Sequence, residues 1–414
     1  MSIFYVLNWI LFILFSVLPI IYLTKKFNIG YINPITITFF VYFPVTVMKV
    51  FGGPAFILDE GLFDPWFNFA LLMTNIELLS TFLITYFAIL FIKRNNFLRN
   101  KILFLIKDKK LSRRKMLFTA LFFLLISFIF FVLLTSEFGF LNWVLSPREG
   151  YQLHRSGVGH YFAFSLLFLS LSYTIFLVYI KNNLARIFSF IFFAVLVYFF
   201  GSKGFILSFF LFLLIVLWFK QSKYLKTALI FLTPLAFIVM LINFNPSQVQ
   251  DVMEYFDYYV NSAMYYKAYF NGELPLFYGQ IWWTDFYSYV PRMFFEDKPY
   301  VYGFLLVNEY FFPGAAEATH TPAFGGPIAI FADFGVLGVL FFSIFNYKVF
   351  LNTIFLYHLY NNKNLHQIEL SSNNLFLFIW MLAPAFLVFF GTLQALILFF
   401  TLFYVVRVLN RIRF

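Results

Sequence analysis

Uninterrupted runs of apolar residues recur along this chain and limit the folds that it can adopt. They occur near 3–23, 33–50, 67–92, 116–136, 160–180, 187–200, 205–219, 227–244, 327–350, 375–390 and 392–406. A helix needs about 20 apolar residues to cross a bilayer. Hydrophobic residues make up 62% of the 414 positions and charged residues 11%, whereas soluble domains have about 45–50% and about 25%. The sequence therefore predicts an all-α, polytopic integral membrane protein with about eleven transmembrane helices.

The basic residues predict which side of the membrane each loop faces. With the N-terminus outside and the C-terminus in the cytoplasm, most of the 29 lysines and arginines fall on cytoplasmic segments, above all on 93–115. This distribution is the one that the positive-inside rule describes. Topology and contact with anionic membrane lipids therefore account for the net charge of +11, and nucleic-acid binding is disfavoured.

This orientation divides the chain into three predicted parts. Residues 1–244 form an N-terminal transmembrane bundle with outer loops at 51–66 and 137–159, residues 245–326 form one large outward loop, and residues 327–414 form C-terminal transmembrane helices. The large loop is rich in charged and aromatic side chains, which suit water, sugar rings or the membrane surface. Its beginning, from Asn245 and Pro246 onward, has the cap and the apolar face of a helix lying on the membrane surface.

The few basic residues on the predicted outer side indicate a bound anion. They include Arg148, Arg155, Arg292 and Lys203. Lys203 precedes an apolar run, where free backbone N–H groups and the helix dipole already favour an anion. The alternative for Lys203 is a side chain that extends to the lipid headgroups. The chain has no Cys, and its outer His, Asp and Glu residues lack the spacing of metal ligands, so a metal site is not predicted.

Several motifs in the predicted outer segments share the pattern of one known family. Arg148 precedes Gly159 by eleven positions, and Arg292 precedes Gly303 by the same number. A Gly-Ser-Lys-Gly turn at 201–204 opens an apolar run, and the sequence from His320 leads through two glycines and a proline to Asp-Phe-Gly-Val-Leu-Gly at 333–338. In these features the chain resembles the Wzy-type O-antigen polymerases, which are related to the O-antigen ligases.

The resemblance implies a glycosyltransferase of the bacterial cytoplasmic (inner) membrane. Such an enzyme joins oligosaccharide repeat units carried on undecaprenyl diphosphate into a surface polysaccharide, such as the O-antigen of lipopolysaccharide or a capsule, on the outer face of the membrane. It requires no nucleotide, cofactor or metal. The interval from His320 to Gly335 is longer than is usual in the ligases, which favours the polymerase. The resemblance leaves open which sugars are joined and whether a chain-length regulator binds.

The chemistry of such a transfer suggests roles for individual residues. The leaving diphosphate gains negative charge, which arginine forks neutralise better than lysine does, and the acceptor hydroxyl must lose a proton. The predicted diphosphate contacts are Arg148, Arg155, Arg292 and Lys203; the predicted catalytic residues are Arg148, Arg292, His320, Glu317 and Asp333; and the predicted glycan contacts are Trp282, Trp283, His154 and His160. A carboxylate within a span faces either a cavity or a polar partner, and both possibilities are open for Asp333.

Three alternatives fit parts of the sequence. A different polyprenyl-phosphate glycosyltransferase would use Asp59 or Glu60 of the first outer loop as its base. A flippase or transporter of lipid-linked oligosaccharides usually has repeated halves and broken helices that carry charge at the midplane, which this sequence does not clearly show. A purely structural scaffold would leave the outer arginines without a function.

Overall fold

A computed structural model describes residues 3–39, 65–95, 112–136, 138–147, 149–150, 159–201, 203–219, 222, 224–230, 234, 258–289, 295–314, 324–344, 347–361 and 408. The helices, in chain order, are α1 (Ile3–Phe27), α2 (Pro65–Arg94), α3 (Arg113–Thr135), α4 (Phe140–Leu145), α5 (Gly159–Tyr179), α6 (Asn183–Tyr198), α7 (Lys203–Phe219), α8 (Tyr258–Phe270), α9 (Gln280–Thr284), α10 (Leu305–Phe311), α11 (Ile328–Ile344) and α12 (Tyr347–Asn361), with a 3-10 helix at Asp285–Tyr289.

Four of these helices, α1, α2, α3 and α5, are long and apolar enough to cross a membrane. Shorter apolar helices occupy α6 and parts of α7 and α11. The prediction of an all-helical, polytopic membrane protein is thereby confirmed. The predicted total of about eleven spans stays a prediction, because the runs at 375–390 and 392–406 and most of those at 33–50 and 227–244 lie outside the described residues.

The chain folds into two compact units. Unit 1 consists of Met1–Arg99, Phe244–Ser288 and Pro299–Asn362, and unit 2 of Asn100–Asn243, Tyr289–Lys298 and Lys363–Phe414. Unit 1 therefore combines segments from all three of the parts predicted from the sequence.

In unit 2, α3 and α5 pack side by side, and α5 also contacts α6 and α7. Serine hydroxyls connect the first pair of helices: Ser127 Oγ donates to the carbonyl of Ser165 at 2.7 Å, and Ser165 Oγ donates to the carbonyl of Ser127 at 2.8 Å. About two turns further along α5, Ser172 Oγ donates to the carbonyl of Ala120 in α3 at 2.7 Å. Small polar residues allow helices to approach closely, and the hydroxyls of these three serines each have an acceptor on the neighbouring helix.

In unit 1, α2 is the central helix and packs against α1, α8, α11 and α12. Buried amides join α2 to α1, because Asn8 Nδ2 donates to the carbonyl of Asn68 at 2.9 Å and Asn75 Nδ2 donates to the carbonyl of Asn8 at 3.0 Å. Inside a span these amides have no water to bond, so they hold α1 at one position along α2.

Helix α8 contributes a row of buried tyrosines to the core of unit 1. Tyr259, Tyr265 and Tyr266 are almost fully buried, and the ring of Tyr266 meets that of Phe331 in α11 edge to face, with centroids 4.7 Å apart. Such edge-to-face pairs add to the stabilisation from burial alone. Residues 246–257 of the predicted surface helix lie outside the described residues, and the helix that follows is a core element.

Helix α11 is broken at Gly335, where φ is 66° and ψ is −161°. This left-handed conformation is accessible to glycine without steric cost and is unfavourable for other residues. The apolar run predicted at 327–350 is accordingly not one straight helix. It contains the broken α11 and the beginning of α12, and the break falls two residues after Asp333.

Candidate functional site

Asp333 lies in α11 of unit 1 with only 2% of its surface exposed. Its Oδ1 accepts hydrogen bonds from the backbone N–H groups of Gly279 at 3.1 Å and Ile281 at 3.0 Å. Its Oδ2 accepts a shorter bond, 2.7 Å, from the N–H of Trp282. Of the two possibilities left open by the sequence, the structure shows the polar partner: this carboxylate is bonded through both oxygens to the backbone of another segment.

These bonds cap the short helix α9, because the N–H groups in the first turn of a helix have no partner within the helix. The usual N-cap is a side chain of the preceding residue, but the N-cap of α9 is Gly279, in a left-handed conformation with φ of 89°. Asp333 therefore supplies from α11 the oxygen atoms that a local Ser or Asp would supply. A further bond, from the N–H of Phe277 to the carbonyl of Ala332 at 2.9 Å, fixes the chain before the cap.

The segment that Asp333 holds carries four exposed aromatic residues. The exposed fractions are 80% for Tyr278, 70% for Trp282, 74% for Trp283 and 57% for Phe286. None of the four lies in a candidate membrane span. We call this group the aromatic platform. The sequence predicts glycan contacts at the two tryptophans and not at Tyr278 or Phe286, although aromatic residues are dense throughout 278–287; the glycan contacts stay a prediction.

The other end of α9 is held by the chain around Gly303. The N–H of Gly303 donates to Thr284 Oγ1 at 2.9 Å, and that hydroxyl donates to the carbonyl of Gln280 at 2.6 Å. Gly303 has φ of 57°, and a Cβ there would lie 3.0 Å from Asp285 Oδ1 and 3.3 Å from its Cα. Partial burial raises the pKa of the Asp285 carboxyl. Gly303, which follows Arg292 by eleven positions, is therefore required by its backbone conformation and by the proximity of Asp285.

Replacing Gly303 with alanine is expected to destabilise unit 1 by more than the cost of backbone strain alone. A non-glycine residue in the left-handed region costs about 1–2 kcal/mol, and the new Cβ would also press on Asp285. The matched control is Gly314→Ala, because Gly314 has φ of 78° and nothing within 4 Å of its Cβ position. The midpoint of thermal unfolding in detergent should fall further for Gly303→Ala than for Gly314→Ala. Equal shifts would show that the contact with Asp285 contributes nothing.

In unit 2, the chain on both sides of Arg148 is held by one buried tryptophan. Trp143, in α4, is 1% exposed and donates from Nε1 to the carbonyl of Phe199 at 2.7 Å. A Cβ on Gly150 would lie 2.5 Å from the Trp143 ring, so only glycine fits there. This packing fixes the backbone near Arg148, whose own position lies outside the described residues.

Helix α7 begins at Lys203, where the sequence predicts a helix N-terminus; the binding of an anion there stays a prediction. Gly201, with φ of 66°, ends the preceding turn and donates its N–H to the carbonyl of Tyr198 at 2.9 Å, which is typical of a glycine after a helix C-terminus. Gly159, the glycine of the first Arg-x10-Gly motif, is the first residue of α5. His160 follows it, with its ring centroid 4.0 Å from that of Tyr161.

Most of the other residues predicted for catalysis or binding lie outside the described residues. These are Arg148, Arg155, Arg292, His154, Glu317 and His320, together with Asp59 and Glu60 of the alternative glycosyltransferase and the side chain of Lys203. Their roles stay predictions. The predicted roles of Asp333, Trp282, Trp283 and His160 also stay predictions, now with defined surroundings.

Comparison with known proteins identifies two relatives. The chain is 27% identical over 240 residues to the O-antigen polymerase of Salmonella typhimurium, and equally to that of Salmonella typhi. The resemblance to the Wzy-type O-antigen polymerases is confirmed. The match covers 56% of this chain and 57% of each polymerase, so the chain spans less than two-thirds of the length of these relatives. No family model and no solved structure matches the sequence.

Proposed function

We propose that this protein polymerises oligosaccharide repeat units carried on undecaprenyl diphosphate into a surface polysaccharide. The observation that carries the proposal is the similarity to two O-antigen polymerases, which agrees with the motifs found in the sequence. The apolar helices support a multi-pass protein of the bacterial inner membrane, where a lipid-linked substrate is available. The exposed aromatic platform, held at both ends, supports a substrate that contains sugar rings.

The proposed reaction transfers the growing glycan from its diphosphate to a hydroxyl of an incoming repeat unit. The bond between the anomeric carbon and the diphosphate oxygen breaks, the acceptor oxygen forms a bond to that carbon, and undecaprenyl diphosphate leaves. Arg148, Arg155, Arg292 and Lys203 neutralise the charge that develops on the leaving diphosphate. His320 accepts the proton of the acceptor hydroxyl, with Glu317 as the next candidate for this role.

In this proposal the reaction takes place on the outer face of the membrane, with the N-terminus outside and the C-terminus in the cytoplasm. The distribution of lysine and arginine supports this orientation. The absence of cysteine from the chain allows the orientation to be tested with single introduced cysteines. Labelling from the outside should reach Pro275→Cys and not Asn96→Cys; the reverse pattern would overturn the orientation.

Reconstitution of the purified protein tests the function directly. Proteoliposomes supplied with an undecaprenyl-diphosphate-linked repeat unit, and with no nucleotide sugar, ATP or added metal, should produce a ladder of longer glycans on the lipid. The ladder should stop growing when the diphosphate is cleaved from the substrate beforehand, because the energy of the glycosyl-diphosphate bond drives the transfer. If intact substrate and a folded protein gave only single units, the proposed function would be wrong.

A further inference from the structure

The aromatic platform exposes large rings on a segment outside the candidate membrane spans. Exposed phenylalanines on α1, α3 and α6 lie on apolar helices, so lipid covers those rings. The rings of Tyr278, Trp282 and Trp283 lie outside the candidate spans and are at least 70% exposed. Removing apolar surface from water is favourable, so a ligand that covers these rings gains binding free energy.

Contacts with other segments hold the short helix α9, which carries the two tryptophans of the platform, in one position. An isolated helix of five residues is not stable in water, yet α9 is tied at its beginning to Asp333 and at its end to Gly303. Preorganisation of this kind lowers the entropy cost of binding and fixes the relative positions of the rings. A fluid lipid surface adapts to any arrangement of tryptophans and gains little from such rigidity, whereas a sugar ring of defined stereochemistry gains from it.

Exposed polar side chains lie between the aromatic residues. Gln280 and Asp285 both have exposed surface on the same segment, although the Asp285 carboxyl itself is partly buried, and an amide and a carboxylate can bond the hydroxyl groups that surround a sugar ring. We propose that the aromatic platform binds the glycan of the repeat unit and that Asp333 is its positioning residue. The identity of the glycan rests on the proposed function; the role of Asp333 rests on the hydrogen bonds that it accepts.

The geometry separates this role from proton transfer. A general base must come within hydrogen-bond distance of the proton that it removes. The Asp333 carboxylate is 2% exposed, and both of its oxygens already accept backbone N–H groups. Asp333 therefore acts through the backbone of 279–282 and does not contact the substrate.

A double-mutant cycle tests the proposal. The probe is the lipid-free oligosaccharide repeat unit released from the host's own polysaccharide, and its binding to the protein in phosphatidylethanolamine–phosphatidylglycerol nanodiscs is measured by calorimetry. Trp282→Ala combined with Trp283→Ala should weaken binding about 10- to 100-fold. Asp333→Asn should weaken it by a similar factor, because an amide NH₂ would replace the oxygen that faces the N–H of Trp282. Adding Asp333→Asn to the double alanine variant should cause no further loss.

Trp218→Ala is the matched control, because Trp218 is also an exposed tryptophan but lies on the apolar helix α7; it should bind the oligosaccharide as the wild type does. The proposal would be overturned if wild-type protein bound no oligosaccharide, or if the tryptophan variants bound it normally. If Asp333→Asn lowered kcat for polymerisation but left the affinity for the oligosaccharide unchanged, Asp333 would be a proton acceptor. If Asp333→Asn failed to fold, the double alanine variant, which changes only exposed rings, would still decide whether the platform binds glycan.

A membrane-anchoring role predicts a different result. Brominated phosphatidylcholine would then quench the fluorescence of Trp282 and Trp283, which is the part of the wild-type signal that the variant with Trp282→Phe and Trp283→Phe lacks. The affinity of that variant for the oligosaccharide would equal that of the wild type. Failure of the proposed function is distinguishable from these outcomes. A wild-type protein that bound glycan through the platform but formed no polymer would refute the function alone, whereas a normal ladder and normal affinity in the double alanine variant would refute the platform alone.

Discussion

Replacing His320 with alanine is expected to remove the long-chain polysaccharide ladder while lipid-linked single units continue to reach the cell surface. Without a proton acceptor, the acceptor hydroxyl is a poor nucleophile, and positioned acid–base catalysis contributes about 10²- to 10⁴-fold to a rate. Gel analysis of surface polysaccharide should therefore show single-unit decoration and no ladder, with unchanged amounts of protein in the membrane. His358→Ala is the matched control, because His358 lies in α12, toward the predicted cytoplasmic side, and should preserve the full ladder.

The same experiment separates a polymerase from a flippase. Loss of a flippase traps repeat units on the cytoplasmic side, so single-unit decoration would disappear together with the polymer. That result in a well-folded His320→Ala protein would contradict the proposed function. A full ladder would show instead that His320 takes no part in the reaction, and Glu317 would become the candidate proton acceptor.

Replacing Arg148 or Arg292 with lysine is expected to lower the rate of polymerisation about 10- to 100-fold even though the charge is kept. A guanidinium donates two parallel hydrogen bonds to a diphosphate, and the ammonium group of lysine cannot reproduce that fork. The loss should appear in kcat, because the leaving diphosphate gains its charge in the transition state. The measurement is the rate of ladder growth in proteoliposomes.

Arg94→Lys provides the control for this pair, because Arg94 is an exposed residue in the last turn of α2, within the basic cluster predicted to be cytoplasmic. It should polymerise at the wild-type rate. Full activity in both Arg148→Lys and Arg292→Lys would remove the diphosphate role from these arginines. A lower amount of variant protein in the membrane would indicate a folding defect. This amount must be measured because Gly150, near Arg148, packs tightly against Trp143.

The sequence alone determined the class of protein and several helices to within a few residues. The predicted runs 116–136, 160–180 and 205–219 correspond to α3 (Arg113–Thr135), α5 (Gly159–Tyr179) and α7 (Lys203–Phe219). These predictions succeed because a continuous apolar run marks where an apolar helix forms, and the lengths of α3 and α5 follow from the thickness of the bilayer. The resemblance to O-antigen polymerases was likewise carried by short motifs and is confirmed by the two relatives.

Only the tertiary structure decided what surrounds Asp333. Its three partners are backbone N–H groups 51 to 54 residues earlier in the chain, and backbone groups leave no trace in residue types. The break at Gly335 and the burial of the α8 tyrosines were equally invisible, since a left-handed backbone and a buried phenol depend on what packs against them. Periodicity and hydrophobicity are local properties and set where helices form; capping across helices is a property of their packing, and it places the aromatic platform.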